Sequence, residues 1–243
     1  MRVAVISDIH ANLPALEAVL AEIDRDPPDE LWCLGDLVGY GPHPNEVVAI
    51  VRGRADVCLA GNHDLGVIGR IGLQLFGGEA GAAARWTSGV IEAEARDYLA
   101  ALEPQGSRSG IGLYHASPRD PVWEYVLDTW TAARGLEAAP ERHVLVGHSH
   151  VALEVAVAED GTQSGGLAPP GTEVPLDELS RLLNPGSVGQ PRDGEPRAAW
   201  LMLDTGAGRA LFRRIEYPIE RTQADMRSAG LPEPLAARLE HGL

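Results

Sequence analysis

The chain contains no lysine: all 20 of its basic residues are arginine, set against 35 acidic ones, for a net charge of −15 over 243 residues. That absence excludes lysine Schiff-base chemistry and a P-loop, both of which need the amine. The shortage of positive charge argues against duplex nucleic acid as a partner, because a phosphate backbone demands a basic footprint. A small anionic ligand stays open wherever a site carries its own local positive charge. Long apolar runs are also missing. Nothing approaches the roughly 20 residues of a membrane span, and no basic segment leads into an apolar one at the N-terminus. The expectation is a cytoplasmic protein with no membrane partner. Cysteine is scarce: Cys33 and Cys58, each inside an apolar run, read as buried thiols without a disulfide. Hydrophobic residues make up 44% of the chain, ample for a core, and neither a repeat nor a long linker interrupts it. One domain over residues 1–243 is expected.

What is present is organised around the first ten residues. Val3 to Ile6 form a short β-branched run of the kind that is buried on both faces as a strand, and it leads into Ser7-Asp8-Ile9-His10. If the strand persisted to His10, its period of two would aim Asp8 and His10 at one point. Apolar residues at helical spacing then run from Leu13 to Asp26, stopped by Pro27-Pro28. Leu31–Leu34 reads as a strand, Asn45–Arg52 as a helix capped by Asn45 or a neighbour, and Ala55–Ala60 as a third strand. This β-α-β-α-β alternation gives a parallel sheet, with ligands expected beyond the carboxyl ends of its strands. Further on, residues 79–102 read as two helices broken near Gly89, and 110–115 as a strand. Irregular helix follows over 123–133, then strands at 143–146 and 151–157. Gly161–Thr172 and Asn184–Gly194 read as loops, 198–203 and 210–216 as strands, and 220–239 as a helical tail interrupted at Gly230-Leu231-Pro232.

Five polar clusters each follow a short apolar run: Asp8/His10, Gly35-Asp36-x-x-Gly39, Gly61-Asn62-His63-Asp64, His115, and Gly147-His148-x-His150. Taken singly, Asp36 fits a turn or helix cap, Asn62 a left-handed turn, His115 a core position, and His148 and His150 partly exposed strand positions. Jointly they place five of the chain's eight histidines at expected strand ends. Two carboxylates, an amide oxygen and four imidazoles are too many ligands for one ion with open positions. They suit two ions sharing a carboxylate, as in phosphoryl transfer.

The ordered blocks D-x-H, G-D-x-x-G, G-N-H-D, H and G-H-x-H resemble those of the calcineurin-like metallophosphoesterase superfamily, and Asn184-Pro185-Gly186-Ser187-Val188-Gly189 resembles a loop of its compact bacterial and archaeal phosphodiesterase branch. The resemblance implies a mixed α/β fold of four layers, an αββα sandwich of two packed mixed β-sheets flanked by helices. It implies that Asp8, His10, Asp36 and His150 hold one metal, and that Asp36 bridges to a second completed by Asn62, His115 and His148. His63 matches the non-ligand histidine that donates a proton to the leaving oxygen or stabilises charge there, with Asp64 orienting it; Asn62 and His63 also face the substrate. Ser149 stands where threonine is frequent. Two divalent ions against two carboxylates leave such a site positive within an acidic protein. They would lower the pKa of a bridging water from 15.7 toward about 7, for in-line attack of hydroxide on phosphorus. Oxygen and imidazole ligands without thiolate leave Mn²⁺, Fe²⁺, Zn²⁺ and Co²⁺ open, with Mn²⁺ or Fe²⁺ the expectation.

Around this centre, Arg192 and Arg119 are the arginines placed to fork onto phosphate oxygens, against the alternative of surface ion pairs. Tyr40, His43 and Asn45 lie in the loop after Asp36, as substrate contacts or as turn and cap residues. Trp86, Trp123 and Trp130 read as packing residues, Trp123 alternatively as a pocket wall. The expected function is hydrolysis of a phosphodiester or small phosphomonoester. Protein or (di)nucleotide phosphatase activity is an alternative, and a non-catalytic metal-binding scaffold is another. The scaffold is disfavoured because His63 and all seven ligands are present.

Overall fold

The computed structural model describes residues 1–243. Its N-terminal third follows the alternation read from sequence: β1 (Arg2–Ile6), α1 (Leu13–Ile23), β2 (Glu30–Cys33), α2 (Pro44–Arg54) and β3 (Val57–Cys58). β1 pairs in parallel with β2, and β2 with β3. α1 starts where Asn12 accepts the Ala15 N–H and buries Leu16, Val19, Leu20 and Ile23; it ends at Ile23, short of Asp26. β3 has two residues rather than the six expected, because the Ala60 N–H leaves the sheet to bond the Glu103 carbonyl. β1 also stops at Ile6 rather than running to His10. Asn45 does not cap α2. The cap position is His43, and the Asn45 amide ties Val90 and Glu92 together instead.

The chain continues through α3 (Asn62–Val67), α4 (Gly78–Val90), α5 (Ala93–Ala100), β4 (Gln105–Arg108) and β5 (Ile111–Tyr114). The α4–α5 break falls at Ile91–Glu92 rather than at Gly89. Residues 123–128 are not helical; α6 (Thr129–Ala138) begins only where Asp128 accepts the Thr131 N–H. Then come β6 (His143–Leu145), β7 (Ala152–Val157), β8 (Gln163–Leu167), β9 (Glu173–Pro175) and β10 (Ser180–Pro185). β11 (Ala198–Asp204), β12 (Arg209–Ile215), α7 (Ile219–Ser228) and α8 (Glu233–Ala237) complete the chain. β8 overturns the expectation of an unstructured loop over 161–172, and β4, β9 and β10 are additions to the sequence reading.

The strands form two six-stranded mixed sheets, ordered β3-β2-β1-β11-β12-β9 and β4-β5-β6-β10-β7-β8. Strand alternation distributes the apolar residues over three interfaces. Val3 and Val5 of β1 face the second sheet and pack with Trp32, Leu113, Leu145, Leu183, Leu201 and Phe212. Ala4 and Ile6 face outward onto α1 and α2, among Leu16, Val19, Val47 and Val51. On the far side, Val144, Leu153, Val155 and Leu182 pack under α6 through Ala132 and Leu136. Each fully buried aliphatic side chain contributes about 1.5–3 kcal/mol. The four-layer sandwich is therefore the expected one. α7 and α8 form a separate patch against α4 and Tyr40. No helix is long and apolar enough to cross a membrane.

Candidate metal centre

All five polar clusters sit just beyond the ends of β1, β2, β3, β5 and β6, where the parallel strands of the two sheets stop side by side. The loops continue the register of the strands: the Asp8 N–H donates to the Gly35 carbonyl, His10 N–H to Asp36, and Gly147 N–H to His115. The Asn184 loop closes the set from the second sheet. Val188 and Gly189 donate to the Ser7 and Asp8 carbonyls, and Asn184 Nδ2 donates to the Gly147 carbonyl and Ser149 Oγ.

Convergence of Asp8 and His10 does not come from strand periodicity. Both residues are left-handed, with φ of 53° and 50°, as are Asp36 at 53°, His148 at 62° and His150 at 59°. Non-glycine residues in this region cost about 1–3 kcal/mol each and persist where surrounding bonds over-determine them. Five of the seven ligand candidates carry this strain.

Two groups of donor atoms result, each group lying within 4.8 Å: Asp8, His10, Asp36 and His150, then Asp36, His115 and His148. Asp36 belongs to both. Its Oδ2 is 3.5 Å from His10 Nε2 and 3.5 Å from His115 Nε2, while its Oδ1 accepts the His63 N–H at 2.9 Å. Asn62 Oδ1 is 3.2 Å from His115 Nε2. All seven side chains are buried.

The histidine tautomers supply the test of whether cations fit here. His10 Nδ1 faces the Val38 carbonyl at 3.0 Å, His150 Nδ1 the Gln190 carbonyl at 2.7 Å, and His115 Nδ1 the Leu34 carbonyl at 2.9 Å. A carbonyl only accepts, so each Nδ1 carries the proton and each Nε2 presents a lone pair. The lone pairs of His10 and His150 then face each other at 3.0 Å, and that of His115 faces the oxygens of Asn62 and Asp36. Acceptors aimed at acceptors are explained by cations between them. His148 has the opposite tautomer: its Nε2 donates to the Trp123 carbonyl at 3.3 Å, leaving Nδ1 for the centre.

The electrostatics agree. Burial, the largest cause throughout, pushes Asp8 up to about 7 and Asp36 well above the carboxylate range, the latter helped by the charges of Asp64 and Asp8. Burial lowers His115 and His148 to about 3 and His10 and His150 far below the ordinary imidazole value. Without cations the pocket disfavours charge of either sign on its ligands, and a bound cation reverses the carboxylate shifts.

His63 lies beside the ligands without joining either group. Burial, then the Arg192 charge, lowers it to about 3, and its Nδ1 is buried with no partner. The expectation that Asp64 orients it is corrected. The Asp64 carboxylate instead accepts the N–H groups of Leu37, Val38 and Gly61, at 3.0, 3.1 and 2.9 Å, and thereby fixes the loop that presents Asp36. What holds the His63 ring is aromatic packing, with Tyr40 at 4.5 Å, Phe76 at 4.9 Å and His10 at 5.0 Å between centroids.

Arg192 reaches the centre. Its guanidinium lies 5.5 Å from the Tyr40 ring centroid, Nη2 donates to Gln190 Oε1, and Nε is buried without a partner. Arg119 pairs with Glu124 at 3.4 Å, the surface ion pair weighed as its alternative. Tyr40 packs on His10, but His43 turns to Asp225 at 3.0 Å and Asn45 to the α4–α5 break. Trp123 packs on Phe76 and Trp86 packs against the α7–α8 patch, whereas Trp130 is 60% exposed, a correction to its packing role. The Tyr125 ring, stacked 4.1 Å over His148, was not anticipated; nothing in the sequence distinguishes it from other loop tyrosines.

The calcineurin-like phosphoesterase superfamily domain matches residues 1–207. An uncharacterised protein of Methanocaldococcus jannaschii is 36% identical over 98% of this chain and 96% of its own. The crystal structure of a metallophosphoesterase from Sphaerobacter thermophilus superposes with a TM-score of 0.90 at 41% identity, covering 100% of both chains. A symmetrical bis(5'-nucleosyl)-tetraphosphatase of Yersinia enterocolitica is 46% identical over 68 residues, which are 27% of this chain and 23% of that protein.

Proposed function

Because this chain belongs to the calcineurin-like phosphoesterase superfamily and is a phosphoric ester hydrolase, we propose that it cleaves a phosphodiester or small phosphomonoester at a dinuclear divalent centre. The observation that carries the dinuclear reading is the pair of donor groups sharing Asp36, with imidazole lone pairs turned toward one another. Asp8, His10, Asp36 and His150 would hold one ion, and Asp36, Asn62, His115 and His148 the other. Oxygen and imidazole donors without thiolate suit Mn²⁺, Fe²⁺, Zn²⁺ or Co²⁺, of which Mn²⁺ or Fe²⁺ is our preferred pair. When bound, such a pair supplies Lewis acidity toward phosphoryl oxygens and acidifies water.

The chain's own contribution is positioning and charge. His63 is held neutral, so it offers one N–H and supports hydrogen-bond donation to a phosphoryl or leaving oxygen better than proton delivery from an imidazolium. Arg192 has no carboxylate partner and can donate a fork of N–H groups to a phosphate oxygen. Asp64 holds the Asp36 loop. Acidification of water at such a centre supports direct in-line displacement with inversion at phosphorus.

A (di)nucleotide phosphatase is the second reading, favoured by the 68-residue likeness to the Yersinia tetraphosphatase. The deciding experiment is hydrolysis of an aryl phosphate monoester and diester by Mn²⁺-loaded protein, with Asp36→Ala as control. Activity lost in the variant is the expected result, and the preferred ester chooses between phosphatase and phosphodiesterase. Retention of configuration at a chiral phosphorus would overturn direct displacement.

A further inference from the structure

We propose that Tyr125 is a specificity-determining residue of this site: its ring is a fixed platform onto which a flat, uncharged, unsaturated ring carried by the substrate's phosphoryl group stacks. This rests on the phosphoesterase reading and adds the kind of organic group that the site selects.

Aromatic residues are few: five tryptophans, five tyrosines and two phenylalanines in 243 residues. Four of them border the centre. Tyr40 meets His63 at 4.5 Å between centroids, His63 meets Phe76 at 4.9 Å, and Phe76 meets Trp123 at 5.5 Å. Just beyond Trp123 in the chain, the Tyr125 ring lies 4.1 Å over His148 and only 24° from its plane. His148 is buried, yet Tyr125 is 48% exposed. The tyrosine therefore covers a donor of the second group with one face, and solvent reaches the ring from the other side. Its surroundings are apolar too. Of the seven large apolar side chains exposed on the surface, Leu75, Tyr125, Leu127 and Trp130 belong to the two segments joined by the Phe76–Trp123 contact. Val126, between Tyr125 and Leu127, belongs to the core under α6, so the alternation that hides it turns its neighbours outward. Single exposed apolar residues are ordinary, whereas a cluster of them at the edge of a polar site marks a binding surface.

The ring is held before any ligand arrives. Ser117 Oγ donates to Glu124 and accepts the Arg119 and Asp120 N–H groups at 3.1 Å. Asp120 Oδ1 accepts the Val122 and Trp123 N–H groups at 3.1 Å, and the Trp123 carbonyl accepts from His148 Nε2 at 3.3 Å. A surface fixed in this way needs little ordering when a ligand binds. Position identifies the occupant. His148 turns Nδ1 toward the donor cluster and a ring face toward Tyr125, so a single imidazole separates the tyrosine from the centre that would hold a phosphoryl group. That separation suits a ring attached at the ester oxygen. Chemistry narrows the choice further. The open face of a phenol ring favours offset stacking with another π system over contact with an aliphatic chain. Arg119 and, over the Trp130 ring, Arg134 are already paired with Glu124 and Glu137. In a protein of charge −15, nothing along this segment invites a further negative charge, and an uncharged ring is the group that fits.

The test uses the full-length, Mn²⁺-loaded protein and three non-hydrolysable probes: methylphosphonate, benzylphosphonate and cyclohexylmethylphosphonate. In the last two a methylene stands for the ester oxygen, and they differ in whether the ring is flat. Binding is measured by calorimetry and by competition against aryl phosphate hydrolysis, with metal content read by elemental analysis. Burial of one ring face predicts that benzylphosphonate binds the wild type about tenfold more tightly than methylphosphonate. It should also exceed cyclohexylmethylphosphonate by about two- to tenfold, the part that stacking adds to area. Tyr125→Ala should bring the benzyl and methyl probes to within about twofold, whereas Tyr125→Phe keeps their difference. Leu167→Ala, which removes an exposed apolar side chain of β8, should keep it as well. Equal binding of the benzyl and methyl probes to the wild type, equal binding of the two ring probes, or a benzyl advantage that survives Tyr125→Ala overturns the platform and leaves the phosphoesterase reading standing. A fall in metal content or in methylphosphonate binding in Tyr125→Ala assigns the ring to the support of His148 and also overturns it. Failure of every probe to bind, with no ester hydrolysed, overturns the phosphoesterase reading itself.

Discussion

At the scale of single residues, the centre works by denying its side chains their usual partners. His63 has an unpartnered Nδ1 and belongs to neither donor group. His63→Gln should therefore lower kcat about 10²–10⁴-fold while the protein still retains two metal ions, as read by elemental analysis of the purified variant. Asp8 gives the pH dependence. Burial raises it to about 7, so below that value the metal-free protein holds a proton that a cation must displace. Metal affinity should rise with pH through about 7, and the Asp36 carboxyl, raised further by burial and by the charges of Asp64 and Asp8, extends the rise. Calorimetric titration of chelator-treated protein with Mn²⁺, in buffers of different ionisation heat, should show more protons released at about pH 6 than at about pH 8. Equal release at the two pH values would place the titrating proton elsewhere.

At the scale of elements, the ligands depend on loops held in unusual conformations. Gly35 has φ of +99°, and a Cβ there would stand 2.7 Å from the Gly61 backbone nitrogen and 2.9 Å from the Ala60 carbonyl carbon. Gly35→Ala should separate the β2 and β3 loops and abolish binding of the second ion, measurable as metal stoichiometry. Asp64→Asn replaces one acceptor oxygen with a donor opposite backbone N–H groups, a loss of about 1–3 kcal/mol. For a chain of this size that is a fall in Tm of about 2–10 °C. The same scale explains what was legible beforehand. The five clusters could be read because each is short, polar and adjacent to an apolar run, and the structure gathers their seven candidate donor residues, all buried, beyond the strand ends. The means of their meeting could not be read: Asp8 and His10 converge through left-handed backbone enforced by Gly35, Asp36 and Gly189, a constraint no local pattern records. β8 was hidden for a related reason. Gly165 and Gly166 look like loop composition, yet a Cβ at Gly165 would strike the Glu154 carbonyl of the paired strand, so glycine is what lets that strand pair. β10 was missed because its partners β6 and β7 lie about 25 to 40 residues away and its own six residues carry no alternation.

At the scale of the whole molecule, a cation held by donors following strands of both sheets would also be a fastening between them. Saturation at about 100 times Kd stabilises by about 2.7 kcal/mol per site, so chelator treatment should lower Tm by about 5–10 °C for each ion removed. Asp36→Ala should melt at the same temperature with and without chelator. The order of the strands adds a consequence in time. All seven candidate donor residues have been synthesised by His150, but Asp8 and His150 are fixed by Ser187, Gly189 and Gln190, and β1 is flanked by β11. A growing chain thus carries every donor well before it carries their frame. Nascent chains arrested before β11 leaves the ribosome should retain Mn²⁺ no better than full-length Asp36→Ala. Capture of metal by this site would therefore follow completion of the first sheet rather than synthesis of the donors.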